Sequence, residues 1–197
     1  MRRRLLIAIA LLTGGCGFWG GAPSPEAAVE GSIQRLPQRV LAGPAIRLMR
    51  PVEDGAVVLF TYTTEEQGQR MRWSAVQIVQ RRLGMWRSVA GGGGGTSDQA
   101  PLQPIEYGIG SGGSAAQQYL YAYGLVNDPA VLQIAVTFPD GRREVVPVEN
   151  GAYLAIRRLE AGQAQPGQIF AAGNGPQHGV RIEALDAQGK VLYTNQP

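Results

Sequence analysis

The run QQYLYAYGLVNDPAVLQIAVTFPDGRREVVPVENGAYLAIRR, residues 117–158, decides the fold class. Within it, QQYLYAYGLV, AVLQIAVTF, REVVPVE and AYLAIRR are short apolar or alternating runs, separated by NDP, PDGR and NG. Asn, Asp and Gly tolerate positive φ, so Asp140-Gly141 and Asn150-Gly151 fit tight turns between paired strands. VRIEALD and KVLYT, separated by AQG, continue the pattern towards the C-terminus. Six strands at this spacing predict an antiparallel β-sandwich of roughly immunoglobulin size, without the Cys pair and buried Trp of antibody domains.

Upstream, GAVVLFTYTTEEQGQ is rich in β-branched and aromatic residues between Val57 and Thr64 and predicts a strand ending in a polar turn. RMRWSAVQIVQRRLG fits either period: Met71, Ala75, Ile78 and Val79 would share a helical face, whereas residues 70–73 alternate as in a strand. A strand paired with MWRSVA is favoured, with a change of face near Ser74 that needs a bulge. Gly91 to Gly95 is expected to open a flexible connection through Pro101 and Pro104. Pro37, Pro44 and Pro51 preclude a long helix before the first strand. The class expected is mainly β: a β-rich region over 45–112, then the immunoglobulin-like sandwich over 113–197.

The N-terminus carries an address. MRRRLLIAIALLTGGC has a cationic start, an apolar run from Leu5 to Leu12, and small residues before Cys16, the sole cysteine. Eight apolar residues are too few to span a hydrocarbon core of about 30 Å. The layout resembles a bacterial lipoprotein signal, although Thr13 stands where that family prefers Leu. The resemblance implies removal of residues 1–15, cleavage of the Gly15-Cys16 bond and lipidation of Cys16. Cys16 has no partner for the disulfide that an exported cysteine ordinarily forms, and lipidation explains a lone cysteine at this place. Two acyl chains give stable anchoring to a membrane. The next residues, GFWGGAPSPEAAVEGS, read as part of a tether over 16–44, with Phe18 and Trp19 suited to a membrane interface. The C-terminal run is also similar to the small β-sandwich modules of poorly characterised bacterial extracytoplasmic proteins, a resemblance that implies no activity.

The formal charge of +3 does not argue for nucleic acid. Arg2, Arg3 and Arg4 belong to the address, and residues 16–197 carry 15 basic and 15 acidic side chains. Arg70, Arg72, Arg81, Arg82 and Arg87 are interrupted by apolar residues and read as a solvated strand face.

The chemistry-bearing patterns are weak. GIGSGG has the spacing G-x-G-x-x-G, but the following run reads as a strand, not the helix a dinucleotide site needs. Gly91 to Gly95 lacks a P-loop lysine. His178, the sole histidine, is expected exposed in a turn. No metal site or cofactor is expected, because Cys16 and His178 are too few soft ligands. Asp128 with Asp140 or Glu144 forms a possible carboxylate pair, yet both aspartates sit in turn signals, where they cap amides. Tyr119, Tyr121 and Tyr123 project from one side of a strand, as a stacking platform for a ligand or as core rings.

These readings predict an extracytoplasmic, membrane-anchored lipoprotein acting as a non-catalytic binding or envelope-associated module, with an envelope protein or polymer as partner. The alternatives are a carboxylate-dependent hydrolase of envelope polymers and a lipoprotein that regulates a membrane partner. A concave pocket with two converging acids would favour the hydrolase.

Overall fold

The computed structural model describes residues 21–114, 117–159 and 179–195, so Cys16 and His178 lie outside the described residues. The fold is mainly β and its sheets are antiparallel. The first sheet is a meander of β1 (Arg39–Val52), β2 (Gly55–Glu66), β3 (Gln69–Arg82) and β4 (Met85–Ser97). Its second and third turns are two-residue loops, with φ of 51° and 75° at Gln67 and Gly68 and of 50° and 80° at Leu83 and Gly84. Paired positive φ values match the right-handed twist of the flanking strands. Pro44 lies in β1, an edge strand, at the register shift between Ala42 and Ala45 in the β1–β2 ladder.

Sequence alternation in this sheet is blurred because both faces are covered. Val58, Phe60, Tyr62, Trp73, Ala75 and Val79 face α1 (Pro25–Ile33), which lays Ala28, Val29 and Ile33 on them. Val57, Leu59, Val76 and Ile78 face the opposite way. Residues 69–82 form the expected strand paired with β4, but β2 and β3 stay in register through Ser74. The expected bulge is absent there, and the register shift instead separates Ile78 from Val79 in the β3–β4 ladder.

Two segments depart from the sequence expectation. The stretch expected as a tether over 16–44 contains α1 and the start of β1. Ser24 caps the helix by accepting from the Ala27 N–H at 3.2 Å, and Pro25 occupies its first turn. At nine residues the helix is too short to show a sustained apolar period and is held by its sheet contacts. Gly91 to Gly95 is β-strand within β4 rather than a flexible connection. Gly95 pairs with Trp73, and a Cβ there would lie 2.8 Å from the indole ring. The ring covers backbone that a side chain would otherwise occupy.

The second sheet is ordered β5-β6-β9, from β5 (Gly108–Gly113), β6 (Gln118–Leu125) and β9 (Ala152–Leu159). The third comprises β7 (Gln133–Thr137), β8 (Arg143–Pro147), β10 (Arg181–Leu185) and β11 (Val191–Thr194), ordered β11-β10-β7-β8. Numbered from β5, strands 1-2-5 face strands 7-6-3-4 in an antiparallel β-sandwich. The six runs expected between residues 117 and 194 are β6 to β11, and the glycine strand β5 completes the set. The expected boundary at 112/113 therefore falls at the end of β5, which pairs with β6 and belongs to the sandwich.

Ile109, Leu120, Ala122, Tyr153 and Ala155 meet Ile134, Val136, Ile182 and Ala184 between the two sandwich sheets. The other side of the β5-β6-β9 sheet presents Tyr119, Tyr121, Tyr123 and Leu154 to Leu48, Val57, Leu59, Val76 and Ile78 of the first sheet. The layers are thus helix, four strands, three strands and four strands.

The close glycine contacts predict a local stability effect. Gly93→Ala would place a Cβ 2.7 Å from the Ala75 Cβ and 2.8 Å from the Ser74 carbonyl oxygen. It should lower stability by about 1–3 kcal/mol in urea unfolding, while Gly43→Ala, with open space around its Cβ, should change little.

Candidate functional site

The tyrosine row is core rather than a ligand face. Tyr119, Tyr121 and Tyr123 are 3%, 2% and 4% exposed, and the Tyr121 and Tyr123 rings lie over glycines of β5. A Cβ on Gly108 or Gly110 would fall 2.5 Å from the Tyr123 ring or 2.6 Å from the Tyr121 ring. Burial pushes the Tyr121 hydroxyl up to about 12 and raises Tyr123 further. Neither phenol is placed to exchange protons at neutral pH.

GIGSGG is strand β5, paired along its length with β6, so its amides do not cradle a phosphate. Asp128 accepts from the Ala130 N–H at 2.9 Å and from the Tyr193 hydroxyl at 2.6 Å. Those bonds, Tyr193 first, hold its carboxyl below the usual range. Asp140 accepts from the Arg142 N–H at 3.3 Å and pairs with Arg157. Both aspartates act as turn caps. Among the described residues there is no group of three or more His, Cys, Asp or Glu suited to a metal ion.

An open groove of about 610 Å³ lies where the β1–β2 turn meets β6, β8 and β9. Its apolar part comes from Val52, Val146, Leu154 and Ile156. Two guanidinium–carboxylate pairs flank these side chains: Arg50 donates to Glu149 at 2.7 Å, and Arg158 to Glu53 at 2.6 Å. Glu53 also accepts from Gln117 Nε2 at 3.0 Å, and Gln117 Oε1 accepts from the Tyr119 hydroxyl at 2.9 Å. This chain links the groove to the buried tyrosine row. Ion pairs as exposed as Arg158–Glu53, at 58% and 59%, add little to stability and leave their polar atoms within reach of a ligand.

The third acid is Glu144. Burial raises its carboxyl above the ordinary glutamate range, and Arg157 pulls the other way. Glu149 is shifted down, chiefly by the hydrogen bond from Arg50. Divergent carboxyls are a mark of acid–base pairs. Here, however, five residues of extended chain separate the two, roughly 16 Å between Cα atoms at the strand rise. Paired glycosidase carboxyls lie between roughly 5 and 10 Å apart.

Of the sequence candidates, Glu144 alone lines the groove with Tyr119, while Asp128 and Asp140 do not. Glu53, Glu149, Arg50 and Arg158 escaped the sequence reading. The only signal was an acid in or just before each of two turns, in VEDG and VENG.

No family model, no curated protein and no solved structure matches the chain.

The opposed shifts predict opposite pH signatures. Glu144 binds its proton more tightly in the folded state. It therefore costs stability as pH rises from the unfolded through the folded pKa, and Glu144→Gln should raise the melting temperature at neutral pH but not in acid. Glu149 contributes stability above its unfolded pKa and loses it as pH falls through the folded value. Carboxyl-carbon NMR titration should place the Glu144 midpoint above that of Glu149.

Proposed function

We propose that the protein is an extracytoplasmic lipoprotein, anchored to a bacterial membrane through acyl chains on Cys16, whose β body serves as a non-catalytic binding or envelope-associated module. The anchor reading is supported by the cationic start, the apolar run over residues 5–12 and the lone Cys16 after small residues. The binding reading is carried by the groove, where Arg50–Glu149 and Arg158–Glu53 flank an apolar surface. Such a surface offers donors and acceptors of both signs to an envelope protein or polymer lying across it.

A carboxylate-dependent hydrolase acting on envelope polymers is the second reading. Glu144 favours it, because a carboxyl held above its ordinary range in a groove is suited to donate a proton.

Metabolic palmitate labelling tests the anchor: wild type takes up label and fractionates with membranes, and Cys16→Ser does neither. An unlabelled, soluble wild type would contradict it. A photo-crosslinking amino acid at the exposed groove residue Pro147 tests the module. Capture of an envelope protein or polymer in intact cells should fall at least tenfold, about 1.4 kcal/mol of binding, with Arg50→Ala plus Arg158→Ala, and persist with Glu144→Gln. Polymer cleavage that Glu144→Gln abolishes would favour the hydrolase.

A further inference from the structure

The tip of the β3–β4 hairpin reads RRLGMWR, residues 81–87. Leu83 is 102% exposed and Met85 39%. Arg81, Arg82 and Arg87 are exposed and have no ion-pair partner among the described residues. The arginines that sequence grouped with them are at the other end of the hairpin and are neutralised, Arg70 by Asp98 at 3.1 Å and Arg72 by Glu106 at 3.0 Å. The cluster expected as one solvated face is therefore divided, and only its tip presents free cations beside apolar side chains. The turn itself does not call for Leu83, which takes a φ of 50° where Asn or Gly is at ease.

The start of the described chain is fastened to this tip. Ala22 and Trp86 exchange backbone hydrogen bonds of 2.8 Å in both directions, and Gly21 packs against Met85 with no room for a Cβ. Cys16 precedes Ala22 by six residues, which reach roughly 20 Å at full extension. A lipid on Cys16 thus keeps Arg81, Arg82, Leu83, Met85 and Arg87 close to the bilayer that holds it.

We propose that the β3–β4 hairpin tip is a second membrane contact, with Leu83 and Met85 inserting at the interface and Arg81, Arg82 and Arg87 binding anionic lipid headgroups. The inference rests on the anchor reading for its geometry. Apolar side chains ringed by arginines suit the boundary between acyl chains and anionic headgroups. Contact at two points would fix the orientation of the β body above the membrane, which a lipid on a freely jointed leash would not.

The test uses the full lipoprotein with Leu83→Cys carrying a polarity-sensitive fluorophore, reconstituted in vesicles containing a lipid-attached quencher. Vesicles are phosphatidylcholine alone or phosphatidylcholine with phosphatidylglycerol. The probe should shift to the blue and be quenched with phosphatidylglycerol present. The inserted-to-aqueous ratio should fall on the order of fivefold for each of Arg81→Gln, Arg82→Gln and Arg87→Gln. A probe at Gln188→Cys, in the β10–β11 turn of the outermost sheet, should stay aqueous throughout. A Leu83 probe that behaves like the Gln188 probe, or is quenched equally in both vesicles, overturns the proposal. Acylation of Cys16 is measured on the same preparation. Acylated protein with an aqueous Leu83 probe overturns the hairpin contact and leaves the anchor. Unacylated protein whose Leu83 probe still enters anionic vesicles overturns the anchor and supports the contact.

Discussion

Tyr119, Tyr121 and Tyr123 alternate with Leu120 and Ala122, so β6 sends rings into one interface and aliphatic side chains into another. The Tyr123 and Tyr121 rings fit because β5 opposite them offers Gly108 and Gly110, over whose bare backbone they lie. They then meet Val57, Leu59, Val76 and Ile78, side chains that would otherwise leave a four-stranded sheet wet on one face. Burial of aromatic area on this scale is what a meander needs to hold a flat face closed. Through that contact the hairpin sheet and the sandwich share one continuous interior, and the groove forms at its edge, where Tyr119 reaches Gln117 and Gln117 reaches Glu53.

Legibility in the sequence followed side-chain pattern. Strands β6 to β11 carry alternation punctuated by Asp-Gly and Asn-Gly, two signals that agree. The glycine strands carry neither, because glycine has poor strand propensity and no side chain to alternate, and their strand state is imposed by Trp73, Tyr121 and Tyr123 from the neighbouring strands. The tyrosine row left two readings open for a related reason. Rings on one side and Leu120 with Ala122 on the other give an apolar strand whose both faces are covered, and the covering sheet lies some 50 residues upstream, about three times the span of one strand and its turn. Helix α1 was hidden by brevity.

The groove was least legible. Arg50 and Glu53 come from the end of β1 and its turn, Glu144 and Glu149 from β8 and the turn after it, and Arg158 from the end of β9. No local spacing joins these segments; only the packing of the hairpin sheet on β6 and β9 does. The turns that looked structural in the sequence are what carry the charge to the site. Asp128 and Asp140 sit in comparable turns but spend their oxygens on backbone amides, Tyr193 and Arg157. The difference between a turn acid that caps and one that faces a groove is set by which layer lies beyond it.

A body joined in this way opens as a unit. Native-state hydrogen exchange across a denaturant series reads that most directly. The amides of residues 57–60, 76–78 and 119–123, which flank the tyrosine layer, should share one opening free energy and one denaturant dependence. Exchange of the hairpin sheet in a separate, earlier transition, with β6 and β9 still protected, would contradict the tyrosine layer as the contact that joins them.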